Sequence, residues 1–114
     1  MSYRIYCIFS KEAIDLMKGN RGKMAAQAGH AYLHSYWDAQ ERFPKNAIAY
    51  RNDLARKICL IVPTAEELVS IYNEYREDYP STLVKDAGFT VFEEPTITCI
   101  GPVPQLDIKA KIFL

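Results

Sequence analysis

The chain has 114 residues, 49% of them hydrophobic and 25% charged, with 14 basic and 14 acidic side chains. That is enough for one domain with a real core and no disulfide staples. It excludes a membrane-spanning helix, since no run approaches the roughly 20 apolar residues a span requires. A formal net charge of zero removes any global basic signature, so a nucleic-acid site has to come from local clustering.

The amino-terminal MSYRIYCIFSKE is not a signal peptide: its apolar run is strand-length and no small-residue cleavage site follows. The expectation is a cytoplasmic protein. Residues Tyr3 to Phe9 (YRIYCIF) read as a first strand whose unbroken apolar character suits burial on both faces. A loop with a short helical turn follows (SKEAIDLMKGN) and runs into a cluster of glycine and basic residues. From Gly22 to Arg42 the pattern is helical, slimmed on one side by Ala25, Ala26, Ala28, Gly29 and Ala31. A mid-helix glycine, which costs about 1 kcal/mol against alanine, points to close packing or function.

Pro44 breaks that helix, and Asn46 to Arg56 read as a second, shorter one. Lys57 to Pro63 (KICLIVP) is a second strand. Thr64 opens a clear helix, TAEELVSIYNEYRED, with Thr64 and Glu67 spaced as a capping box and Leu68, Ile71, Tyr72 and Tyr75 as its apolar stripe. Pro80 ends it. Short strands follow at Thr82 to Lys85, Thr90 to Phe92 and Thr96 to Val103, with turns at Gly88 and Pro95. Lys109 to Leu114 alternates like an edge strand. Each of Cys7, Cys59 and Cys99 lies in an apolar run, which predicts buried thiols and neither a disulfide framework nor a zinc site.

Helices between the early strands imply a parallel crossover, and consecutive strands later imply antiparallel pairing. The predicted architecture is α/β: a single domain over residues 1–114, with a mixed, mostly four-stranded sheet and helices on both faces.

Four groups of residues can carry chemistry. Lys18, Arg21 and Lys23, around Gly19 and Gly22, enter the long helix, where free N–H groups and the helix dipole favour phosphate. The Walker A spacing is absent, and local sequence alone reads first as a solvated basic loop. Lys23, Gln27, His30 and His34 recur on one helical face that is polar where a core stripe would be apolar. His34 reads as solvent-facing, and the histidine pair lacks an evident third metal ligand. Asp86-Ala87-Gly88 follows a strand, where a carboxylate serves an α/β crevice or an everyday turn. Thr90, Thr96 and Thr98 complete the set, the last two on one strand face by alternation.

Taken in order, these segments resemble a known family. GKMAAQAGHA, DAGFT and EEPTITCIGPVP resemble the three motifs of the peptidyl-tRNA hydrolases of the archaeal and eukaryotic type. The resemblance spans nearly the whole chain and implies hydrolysis of the ester joining a stranded peptide to tRNA, with tRNA as partner and without metal or organic cofactor. Lys23, Gln27, His30, Asp86, Thr90 and Thr96 fall on its motif positions. It implies Lys23 on a phosphate or developing oxyanion, Asp86 on the attacking water, and Thr90 and Thr96 positioning water or ribose. Gln27 and His30 would shape the site, with Lys18 and Arg21 on the acceptor-stem backbone. The arginine such enzymes carry after the first strand is absent here, Lys11 being the nearest cation. The strand before IGP is about two residues short, so Thr96 and Thr98 compete for one role. Two other functions stay open on sequence alone: a family-like binding module for tRNA, nucleotide or protein, and a hydrolase of another acyl substrate. Monomer and homodimer are both compatible.

Overall fold

A computed structural model of the chain describes residues 2–85 and 94–114. Its elements run β1 (Arg4–Ser10), α1 (Lys11–Leu16), α2 (Arg21–Arg42), α3 (Pro44–Arg51), β2 (Arg56–Val62), α4 (Ala65–Tyr75), β3 (Ser81–Lys85), β4 (Pro95–Val103) and β5 (Lys111–Ile112). The strands form one sheet in the order β3-β4-β1-β2-β5. β1 and β2 are parallel, whereas β1–β4, β3–β4 and β2–β5 are antiparallel. The mixed sheet is as expected. Among the described residues it has five strands where mostly four were expected, because the two residues of β5 extend its edge beside β2. The expected strand over Thr90 to Phe92 lies outside the described residues.

The apolar run of β1 puts it at the centre, buried from Ile5 to Ser10. Its side chains alternate between two cores. On one face Tyr6 and Ile8 pack with Leu60, Val62, Leu68 and Ile100, and the α4 stripe of Ile71 and Tyr75 covers them. On the other face Ile5, Cys7 and Phe9 pack with Ile97, Cys99, Ala31 of α2 and Tyr50 of α3. The small residues of α2 make the close approach, with Ala31, Ser35 and Ala39 fully buried. Ala25, Ala26 and Gly29 do not share in it: all three are exposed, and a methyl group at Gly29 meets nothing within 4 Å among the described residues.

The three cysteines align in register across neighbouring strands, Cys99 and Cys59 flanking Cys7. Cys7 and Cys99 are buried and Cys59 is half-buried, with its Sγ 3.3 Å from the Tyr32 hydroxyl. The neighbouring Cys7 thiol and burial push Cys59 far above the ordinary thiol range, against an opposing pull from Tyr32.

Two boundaries differ from expectation for local reasons. Pro44 begins α3 instead of only breaking its predecessor, because a missing N–H and fixed φ suit a helix's first position. That helix also ends earlier, at Arg51, and Ala55 at φ 48° turns the chain into β2. The start of α4 is capped as its spacing predicts: Thr64 Oγ1 accepts from Glu67 N at 3.2 Å. A further orphan donor, Ala65 N, gives its hydrogen bond to Glu12 Oε1 of α1 at 3.0 Å.

Asp38 fastens α2 to the sheet. Its carboxylate accepts from Arg42 Nε at 2.8 Å and from Ser81 N at 3.0 Å, while Arg42 also donates to the Arg76 and Tyr79 carbonyls. Burial works to raise the Asp38 pKa, but hydrogen bonds from Arg42 and Ser81 outweigh it and hold the carboxyl below its ordinary value. A native-state value below the unfolded one gives stability that is present above the ordinary aspartate range. That stability is lost as pH falls through the native value. Asp38→Asn is therefore expected to lower the urea midpoint near neutral pH, with the deficit vanishing in strong acid; an equal deficit at both would show that charge is not involved.

Candidate functional site

The fold brings the start of α2 to the carboxyl end of β1. Between α1 and α2 the chain reverses through Lys18 and Gly19, at φ 50° and 75°. Glycine takes that left-handed region without steric cost, and the lysine before it does so under strain. Asn20 then caps α2, its Oδ1 accepting from Lys23 N at 3.0 Å. Lys18 and Arg21 are exposed, Lys23 is half-buried, and the first turn holds no acidic residue. Cations at the positive end of a helix cost stability, of order a few tenths of a kcal/mol each, unless an anion answers them.

One turn on from Lys23, Gln27 reaches the sheet. Thr96 Oγ1 donates to Gln27 Oε1 at 3.1 Å and lies 3.3 Å from the Val84 carbonyl. Thr96 is fully buried, as is Thr98, but the two do not share a face. The β3–β4 register passes from Lys85↔Pro95 to Val84↔Ile97, leaving Thr96 as the extra residue of a bulge. A bulge re-aims the side chain it carries. Thr96 thereby turns to α2, while Thr98, paired with Ile8 and Leu83 of the α4-side core, donates to the Thr82 carbonyl at 2.8 Å. The expectation from strict alternation is corrected here: of the two threonines, Thr96 is the one that meets Gln27.

His30 and His34 lie further along the same face, both exposed, with ring centroids 4.1 Å apart. Trp37 stands edge-on to His34 at 5.0 Å. This ring row was not foreseen, although Trp37 at seven residues from His30 was the available signal. Lys11, the cation nearest the missing arginine, is exposed and paired with Asp15 at 2.9 Å. It lines a cavity of about 470 Å³ with Lys109, Lys111 and Glu67 at the carboxyl end of β2. Asp86 and Thr90 lie outside the described residues; β3 ends at Lys85, immediately before Asp86.

Gln27 and Thr96 thus meet between the start of α2 and the bulged strand β4, one helical turn from Lys23. The class so defined is a small α/β protein with a polar site between one long helix and a bulged strand. Residues 12–112 match the family model for peptidyl-tRNA hydrolase PTH2, and the chain belongs to that family. Peptidyl-tRNA hydrolase of Methanocaldococcus jannaschii is 34% identical over 90 residues, 78% of each chain. That of Methanococcus vannielii is 35% identical over 94 residues, 82% of this chain and 81% of the other. The probable peptidyl-tRNA hydrolase 2 of Drosophila melanogaster is 34% identical over 95 residues, 81% of this chain and 51% of its own.

Proposed function

We propose that this protein hydrolyses peptidyl-tRNA: water cleaves the ester between the peptide and the tRNA 3′ ribose, giving free peptide and reusable tRNA. The observation that carries the reading is the Thr96–Gln27 hydrogen bond, which unites two of the three motif segments one turn from Lys23. The third segment, with Asp86 and Thr90, continues directly from β3, the strand paired with β4.

The chemistry asks for a base, an oxyanion stabiliser and a grip on phosphate. Asp86 takes a proton from water or orients it, with Thr90 holding the same water. Attack on the ester carbonyl puts negative charge on its oxygen, which Lys23 stabilises. The tetrahedral centre then collapses, and the ribose oxygen leaves with a proton. Thr96, fixed by Gln27, positions the ribose, and His30 borders the site. Lys18 and Arg21 hold the acceptor-stem backbone. Among the described residues no helix is long and apolar enough to cross a membrane, and a peptidyl-tRNA substrate supports work in the cytoplasm.

The test is release of N-acyl amino acid from N-acyl-aminoacyl-tRNA by the purified protein; absence of release by folded protein rejects the reading. The threonines give an internal control. Thr96→Val is expected to lower kcat and also to cost about 1 kcal/mol of stability through its own lost buried hydrogen bond. Thr98→Val is expected to cost about 1 kcal/mol of stability through a lost buried hydrogen bond and to leave kcat alone. The reverse pattern would assign the role to Thr98.

A further inference from the structure

We infer that the exposed ring row of α2 is the track along which the peptide of the substrate lies. The inference rests on the hydrolase reading and adds which part of the substrate goes where.

At 100° per residue, Lys23, Gln27, His30, His34, Trp37 and Glu41 fall within about 80° of one helix face. The reaction site and the rings therefore share a surface. Trp37 is 49% and the neighbouring Leu33 45% exposed. The rings touch one another, His30 to His34 and His34 to Trp37, and stay open to solvent. A contiguous row of exposed rings on a water-facing helix marks an interaction surface more often than a stray exposed side chain does.

Charge decides the occupant. The cations Lys18, Arg21 and Lys23 stand at one end of the face, and the exposed Glu41 stands at the other. Phosphates are drawn to the basic end, whereas at the other end Arg42, paired with Asp38, stands beside Glu41, so the tRNA lies toward Lys18. The acyl side of the ester then points along the rings, and the free amino group of a peptide approaches Glu41. Length agrees. Gln27 to Trp37 is about 15 Å of helix, which matches about four to five extended residues. Ring faces and imidazole nitrogens suit the task, because stranded peptides have no common sequence and such groups bind apolar and polar side chains alike.

Trp37 is the sole tryptophan, so its emission reports on the track directly. The probes are tRNAs whose ester is replaced by a hydrolysis-resistant 3′ amide, carrying either one acetylated alanine or a peptide of about five residues. The long conjugate is expected to change Trp37 emission, and the short conjugate and uncharged tRNA are not. An equal change with uncharged tRNA would give the rings to nucleotide bases and overturn the assignment, as would no change at saturating long conjugate. In turnover, the KM for the long peptidyl-tRNA is expected to be about tenfold below that for the acetylated aminoacyl-tRNA, the scale of one good aromatic contact. Trp37→Ala is expected to erase that difference with kcat and the short-substrate KM unchanged, and Trp37→Phe to keep most of it. Persistence of the difference in Trp37→Ala overturns the track and leaves the hydrolase reading intact. A protein that cleaves nothing yet shows the emission change only with the long conjugate keeps the track and refutes the hydrolase reading.

Discussion

Lys23→Ala is expected to reduce kcat for N-acyl-aminoacyl-tRNA by about 10²–10³-fold, the loss that follows removal of one donor to a developing oxyanion. The fold should survive. Lys23 contributes its backbone N–H to the Asn20 cap, and that bond does not depend on its side chain. Removing a cation from the positive end of α2 also relieves an unfavourable charge–dipole interaction. A large fall in kcat with an unchanged urea midpoint is thus the expected pairing. Lys23→Arg tests the geometry, since a planar guanidinium restores charge without restoring a point donor at the same place. Asp86→Ala, run beside it, is expected to lose at least as much if Asp86 serves the water. Full kcat in either variant removes that residue from the scheme. A raised KM with kcat intact for Lys23→Ala would move its role from the oxyanion to a phosphate.

Gly101→Ala is expected to be the most damaging conservative change to the fold. Gly101 has φ 125°, a region that residues with a Cβ rarely adopt. The added methyl would stand 2.5 Å from the Arg4 carbonyl oxygen and 2.9 Å from Ile5 Cα. Both neighbours are backbone of the central strand, so neither can rotate away. The Gly101 N–H also donates to the Pro80 carbonyl at 2.8 Å, and its own carbonyl accepts from the buried Ser35 hydroxyl of α2. Moving the glycine therefore disturbs sheet and helix together. A loss of about 4 kcal/mol or more is expected, at the upper end for single substitutions, read as a fall in urea midpoint at unchanged slope. A loss under about 1 kcal/mol, the ordinary scale of substitutions, would show that β1 and β4 can separate locally at little cost.

Much of the architecture was legible because its signals are local and periodic. The apolar run of β1, the stripe of α4 and the Thr64–Glu67 spacing each describe a few consecutive residues, and each formed where expected. Pro44 was legible as a boundary but not as a beginning, since a proline that ends one helix and one that starts the next look the same from sequence. The alanine-rich side of α2 indicated close packing, but Gly29 was included with it. Only the finished helix shows that glycine facing open space.

The candidate site was legible by a different route. Single residues such as Lys23 or Thr96 carry little weight alone, and the order of three motifs carried the family. What remained hidden was non-local. The facing of Thr96 depends on one extra residue opposite Lys85 and Val84, and a bulge leaves no mark in the residues that make it. The pairing of Thr96 with Gln27 joins residues 69 apart in the chain. The ring row is the local exception: its spacing was there to read, but histidine and tryptophan on a water-facing helix have no fold-level reason to be there.

The in-register thiols of β2, β1 and β4 have a consequence for handling the protein. They sit on the face beneath α2, with Cys7 and Cys99 sealed. A thiol must meet the reagent before it can be alkylated, and burial denies that meeting to Cys7 and Cys99. Cys59, half-buried, is the first of the three that a reagent meets, although its raised pKa slows its reaction too. Slow alkylation of the other two then serves as a clock for the opening of the sheet's centre, with no label added to the chain.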